Sequence, residues 1–176
     1  MTEMTAWDLH GLASMPIVPG EQLGGFRIGT NIGTYRKILM RERDHRLHRM
    51  PIDRLRSERT RWGEFREIWG LAITLWPVCV HIDVRTGAIH RIETKPGYRA
   101  GYQQLTLGTR LGDAERLEPR LRRNEYEEAL TIDGVDGIYF GLPESDPFRL
   151  NEDDLLCLRI TEIGVFDPET GTTLAF

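Results

Sequence analysis

RIGTNIGTYRKIL, residues 27–39, and TLGTRLGDAERL, residues 106–117, carry the same phrase: Gly-Thr-x-(Ile/Leu)-Gly, then a short amphipathic run. A phosphate-cradling loop and a duplicated structural unit both write glycines beside a helix start, and they imply different chemistry. A phosphate loop needs clustered glycines, commonly with a Lys and a Ser or Thr entering the helix, so that backbone N–H groups converge on the anion. Neither copy has that Lys or the G-x-G-x-x-G spacing. The structural reading uses every residue of the phrase. Gly29 and Gly108 permit a tight turn, Thr30 and Thr109 cap a helix, and Gly33 and Gly112 let that helix lie close against a sheet.

Outward from the phrase the two halves keep the same plan. With Thr30 as cap, Ile32, Tyr35, Ile38 and Leu39 share one helical face; with Thr109 as cap, Leu111, Ala114, Leu117 and Leu121 do the same, and Pro119 shortens or bends the second helix. The Pro- and Gly-punctuated stretch 15–26 reads as an extended or turning approach to the first helix. WGLAITLW (69–76) and VCVHIDV (78–84) alternate as consecutive antiparallel strands, with turns at Pro77 and Thr86-Gly87. A helical seam through Trp62, Trp69 and Trp76 competes with this, but Gly63, Gly70 and β-branched Ile73-Thr74 weaken it. The second half follows with EALTI (128–132), a DGVDG turn, IYFGL (138–142), an acidic loop and LLCLRITEIGVF (155–166). Ile89 and Ile92, like Ile160 and Ile163, are three apart where alternation gives two, which predicts a bulge at equivalent places. Thr109 follows Thr30 by 79 positions and Ile160 follows Ile89 by 71, so loop lengths differ while the unit repeats. The expected fold is α+β: one domain, 1–176, of two tandem units (about 16–97 and 98–176), each a short helix packed on an antiparallel β-sheet, the sheets side by side or continuous.

A chain of 176 residues, 40% hydrophobic and 28% charged, buries an adequate core without metal or disulfide staples. The longest apolar run, residues 68–80, is 13 long and cut by Pro77, too short to span a bilayer as a helix. The first residues lack a basic and apolar leader pattern and an early cysteine, so the expected location is cytoplasmic. Cys79 and Cys157 sit in apolar runs and read as reduced core thiols, with a single bridge between them as the alternative. The net charge of −4 conceals a polarity: residues 1–112 hold 17 Arg/Lys against 11 Asp/Glu, and 113–176 hold 6 against 16. Such asymmetry marks a partner surface or a solvated acidic face.

PGEQLGGFRIGTNIGTYRKIL (19–39), VHIDVRTGAIHRIETKPGYRAGYQQLTLGTRLGD (80–113), ALTIDGVDGIYFGL (129–142) and ITEIGVF (160–166) resemble the tandem helix-plus-strands unit of bacterial immunity proteins of polymorphic or contact-dependent toxin systems. That unit is similar to the β-lactamase inhibitory protein and to small outer-membrane assembly lipoproteins. The resemblance covers about residues 16–166 and rests on glycines, turn residues and spaced apolars. It implies a non-catalytic inhibitor whose partner is a cognate toxin effector domain.

Three residue sets are candidate sites. His81, Asp83 and His90 meet on one hairpin face if Thr86-Gly87 is a two-residue turn, making a metal triad and an alternative reading as a metal-dependent enzyme; no fourth ligand supports it. The stretch 36–66, with 11 Arg/Lys against five acids, offers a nucleic-acid contact through Arg54, Arg56 and Arg59, but the chain is acidic overall and no recognition motif accompanies it. The acidic set Asp133, Asp136, Glu144, Asp146, Glu152, Asp153 and Asp154, with Tyr139 and Phe148 as aromatic anchors, lies in turns and loops of the second unit and suits a basic toxin groove. Tyr139 and Phe140 face opposite ways, so only one is available as an anchor. Ser14, Ser57 and Ser145 lack a nucleophile-elbow context, and no cofactor is expected.

Overall fold

The computed structural model describes residues 9–41, 56–59, 65–68, 70–124, 129–143 and 152–168. Its helices are short: α1 (Leu9–Leu12), α2 (Arg36–Arg41), α3 (Leu111–Leu117) and α4 (Glu152–Cys157). The strands are β1 (Gln22–Leu23), β2 (Phe26–Arg27), β3 (Arg56–Arg59), β4 (Phe65–Ile68), β5 (Gly70–Leu75), β6 (Val78–Asp83), β7 (Ile89–Thr94), β8 (Leu121–Asn124), β9 (Ala129–Ile132), β10 (Val135–Gly141) and β11 (Glu162–Phe166). This is an α+β fold. Seven strands form one antiparallel sheet in the order β5-β6-β7-β11-β10-β9-β8, so the expected pair of sheets is continuous, joined where β11 lies against β7.

The doubled phrase performs the same task twice. Gly29 N donates to Ile89 O at 2.7 Å and Ile89 N to Thr30 O at 3.0 Å; later in the chain Gly108 N donates to Ile160 O at 2.8 Å and Ile160 N to Thr109 O at 2.9 Å. Asn31 bridges Ala88 as Arg110 bridges Arg159. Each glycine-threonine pair thus clips a turn onto the strand ahead of its bulge. Both glycines hold positive φ, +75° and +85°, with open space where a Cβ would stand, so the need is conformational.

Helix starts and glycine roles differ from expectation in detail. The first cap is Asn31, whose side chain accepts from Gly33 N before a 3₁₀ turn, Ile32–Tyr35, leads into α2. In the second copy Arg110 is the cap residue with no side-chain bond, while Thr109 Oγ1 accepts from Thr106 N at 3.1 Å, holding the preceding turn. Gly112 faces Leu156 of α4, and Gly33 meets only its own cap, so neither serves helix-on-sheet packing. The Arg-rich stretch holds β3 and runs into β4, and the two strands pair antiparallel with Arg56 opposite Ile68 and Arg59 opposite Phe65. Trp62, Trp69 and Arg54 lie outside the described residues.

Alternation decides which side chains enter the core. Val78, Val80 and Ile82 of β6, Ile92 of β7, Ile163 and Val165 of β11 and Ile138 and Phe140 of β10 are buried with Leu12, Phe26, Tyr35, Leu111 and Ala114 in one cluster. Tyr98 ties the N-terminal approach to this core: its hydroxyl donates to Met15 O at 2.7 Å and accepts from Gly24 N at 3.1 Å. Residues of opposite parity on the same strands, Cys79, His81, Arg91, Glu93, Tyr139 and Glu162, therefore share the other face of the sheet.

Candidate functional site

Register brings the polar residues of that second face together. In the β6–β7 pair, Cys79 lies opposite Glu93 and His81 opposite Arg91. The pairing then slips: Ile82 faces Ile89, leaving His90 as an extra residue. This is the bulge that the Ile89–Ile92 spacing announces. Its counterpart is at Thr161, whose N–H donates to Gly141 O at 2.9 Å although Glu162 is the register partner of Gly141.

Glu93 is the hub. Its carboxylate meets Arg91 Nε at 2.9 Å, His81 Nε2 at 3.0 Å and Lys95 Nζ at 3.1 Å, and it accepts a hydrogen bond from the Tyr139 hydroxyl at 3.1 Å. Lys95 Nζ also reaches Glu162 at 2.9 Å, and the Tyr139 hydroxyl stands 2.8 Å from the other oxygen of Glu162. The network is largely dry: the Glu93 side chain is 6% exposed, Arg91 14% and His81 18%. Charges removed from water need close partners, and each carboxylate here has at least two.

The electrostatics follow from that packing. Burial alone would push the Glu93 carboxyl up, but the His81 hydrogen bond and the charges of His81, Arg91 and Lys95 outweigh it and hold it well below the usual carboxylate range. Burial would lower His81, yet its contacts to Cys79 and Glu93 hold it above its ordinary value. Burial would likewise lower Lys95, but the two glutamates hold it up. Burial among carboxylates drives Tyr139 well above the phenol range, so it remains a neutral donor. His90 goes the other way. Burial and the nearby charges of His81 and Arg91 push it down to about 4, and neither ring nitrogen has a hydrogen-bond partner among the described residues.

The expected triad of His81, Asp83 and His90 does not form. Residues 84–87 make a four-residue loop closed by Asp83 N to Ala88 O and Gly87 N to Asp83 O, so the bulge, not a two-residue turn, sets where His90 falls. Asp83 Oδ1 is taken by Arg85, accepting from its backbone N–H at 2.9 Å. Instead, Cys79, His81 and Glu93 place one donor atom each within 4.8 Å of one another. Composition alone does not reveal this set, but RIETK does carry its signal: Arg91, Glu93 and Lys95 alternate on one side of a strand.

The acidic set is only partly described. Asp133 and Asp136 are exposed at the β9–β10 turn, and Arg122 Nε pairs with Asp133 at 2.8 Å. Asp153 and Asp154 are exposed on α4, where Glu152 begins the helix. Glu144, Asp146 and Phe148 lie outside the described residues. Tyr139 is corrected: it is 0% exposed, as is Phe140, because one ring lies over Gly164 within the polar network while the other fills the core. Neither is available as a surface anchor. Among the thiols, Cys79 is buried and Cys157 is exposed at the end of α4; both are free, so the second is not the core thiol expected and no bridge joins them. Among the described residues no helix is long and apolar enough to cross a membrane.

No family model and no curated protein matches this chain. Among solved structures, the uncharacterized protein yfeY from Escherichia coli is similar to it, at 15% sequence identity and a TM-score of 0.49 over 85% of this chain and 98% of that one.

Proposed function

We propose that the chain is a non-catalytic inhibitor, an immunity protein that binds the active domain of a bacterial toxin in the cytoplasm. The observation that carries this reading is the doubled clip, Gly29-Thr30 on Ile89 and Gly108-Thr109 on Ile160, which builds one broad sheet from two units as the resemblance to tandem-unit inhibitors implies. Exposed Asp133, Asp136, Asp153 and Asp154 supply an acidic surface suited to a basic toxin domain. The metal-dependent enzyme built on His81, Asp83 and His90 is the weaker reading because, among the described residues, the donor atoms gathered within 4.8 Å of one another belong to Cys79, His81 and Glu93 and not to Asp83.

The test is co-expression with the toxin domain encoded beside this chain, followed by binding kinetics on the purified pair. Protection of the cells and a stable complex are expected. Replacing Asp133 and Asp136 by Lys together is expected to slow association, most at low salt, with dissociation little changed, since rim charges act by steering encounter. Absence of both protection and binding would sink the inhibitor reading; unchanged association in the variant would move the interface away from the β9–β10 turn.

A further inference from the structure

We propose that Cys79, His81 and Glu93, joined by His90, form a binding site for a thiophilic divalent cation of the zinc class on the polar face of the sheet, opposite the main apolar core. The inference is independent of the inhibitor reading and goes beyond it. Three donors of different chemistry, a thiol, an imidazole and a carboxylate, come from adjacent strands with their ligand atoms within 4.8 Å of one another. That mixture of sulfur, nitrogen and oxygen suits zinc, whereas calcium and magnesium demand oxygen alone.

The spacing fits. Two nitrogen or oxygen ligands at zinc's usual bond length of about 2.0–2.1 Å on a tetrahedral ion stand roughly 3.3 Å apart. His81 Nε2 and Glu93 Oε2 are 3.0 Å apart, so a cation enters between them with a few tenths of an ångström of movement. Cys79 directly faces Glu93 across the strand pair and completes the third corner.

His90 supplies a second, independent observation. An imidazole whose two ring nitrogens are both buried and unpartnered among the described residues is costly, and metal ligation is one of few ways to satisfy it without water. Its ring centre is 6.2 Å from that of His81. Two imidazoles on one tetrahedral zinc have ring centres about 5 Å apart, so His90, whose nitrogens are not among the donors gathered within 4.8 Å, takes the fourth position by closing in and turning a ring nitrogen toward the ion. The bulge that displaces His90 from the strand register brings it beside His81.

Charge does not forbid the ion, although Arg91 and Lys95 are close. The thiol proton of Cys79 and, when His81 is protonated, its imidazolium proton leave to solvent as the dication enters. Two positive charges replace two, and the charge of the cluster is unchanged. Arg91, Lys95, Tyr139 and Glu162 then act as the outer contacts that orient Glu93.

Titration of the purified full chain with cobalt(II) tests this. The expected result is saturation at one equivalent, with the near-ultraviolet thiolate-to-cobalt charge-transfer absorption and the intense visible bands of a tetrahedral ion, both displaced by zinc. Cys79→Ser is expected to abolish the charge-transfer absorption, His81→Ala to abolish tight binding and His90→Ala to weaken it at least tenfold. Cys157→Ser and Asp83→Asn are expected to bind as wild type, and far-ultraviolet circular dichroism verifies the fold of each variant. A wild-type protein with no cobalt–thiolate absorption overturns the proposal, and so does an absorption that survives Cys79→Ser or vanishes in Cys157→Ser. Toxin binding is read separately, so failure here leaves the inhibitor reading intact, and the reverse holds.

Discussion

At the scale of residues, Glu93 is the position on which most other side chains of the polar face depend. Replacing it with Gln leaves the Arg91 and Lys95 charges facing a neutral amide in a site that excludes most water, a loss expected to cost about 3–5 kcal/mol in urea unfolding. Tyr139→Phe removes the single hydroxyl proton that the two glutamates share and is expected to cost about 1–3 kcal/mol. Acid stability depends on His90. Its folded pKa, about 4, lies below the ordinary 6.5, so between those values the unfolded chain binds a proton the folded chain does not, and stability falls as pH falls. Glu93, with its folded pKa depressed, adds to the loss once pH drops into the ordinary carboxylate range. His81 opposes both, because its raised pKa gives stability that is full below the ordinary imidazole value and fades as pH rises through the folded one. Replacing His90 with Phe is expected to flatten the decline between pH 6.5 and 4 by roughly 2–3 kcal/mol, read as urea midpoints across that window; an unchanged slope contradicts the assignment. The sequence exposed the charges of this cluster but not their burial, because which face of a strand is covered depends on distant segments. Tyr139 looked like a surface anchor for that reason.

Among the elements, the turn glycines were the most legible feature, since a positive φ is a demand that one residue type meets cheaply. Gly29→Val and Gly108→Val are each expected to cost about 1–3 kcal/mol in thermal unfolding, while the Asn variants recover much of it, because Asn tolerates the left-handed region and open space surrounds both positions. Equal losses for Val and Asn would mean that something other than φ is at stake. Gly164 tests the opposite cause. Its φ is ordinary, but a Cβ there would overlap the Tyr139 ring, so Gly164→Ala is expected to destabilise by about 1–3 kcal/mol through overpacking. The bulges were legible because apolar side chains three apart cannot both face the core without one. The β3–β4 hairpin was not. Its four-residue strands are dominated by charged side chains, RSER and FREI, and have too little apolar alternation to register against good helix formers. Helix caps fell one residue late because Asn31 competes with Thr30 for the cap, and a side-chain bond to Gly33 N decides between them.

For the whole molecule, continuity of the sheet is the property that the repeated phrase implied but could not settle, since side-by-side and fused sheets share one pattern. The fusion is made by β7 against β11, with Ile163 N donating to Thr94 Oγ1 at 2.8 Å and Lys95 reaching Glu162. The two units are therefore expected to unfold together, with coincident near- and far-ultraviolet dichroism transitions; two separated transitions would show independent halves. The β7–β11 seam has a further meaning. Shifting β7 by 71 positions places Ile92 on Ile163 and Glu93 on Gly164, and Glu93 and Gly164 are themselves paired across the seam. A local two-fold axis therefore passes through that pair, the one place where a duplicated unit meets its own image. Two glutamates there would stand directly opposite and repel each other. The chain resolves this by breaking symmetry, with a glutamate on one side and a glycine on the other. The room left above the glycine admits Tyr139, whose image in the first unit is Cys79. The polar cluster thus depends on the asymmetry of this one pair, and a chain with glutamate on both sides of the axis would lack the space that Tyr139 fills.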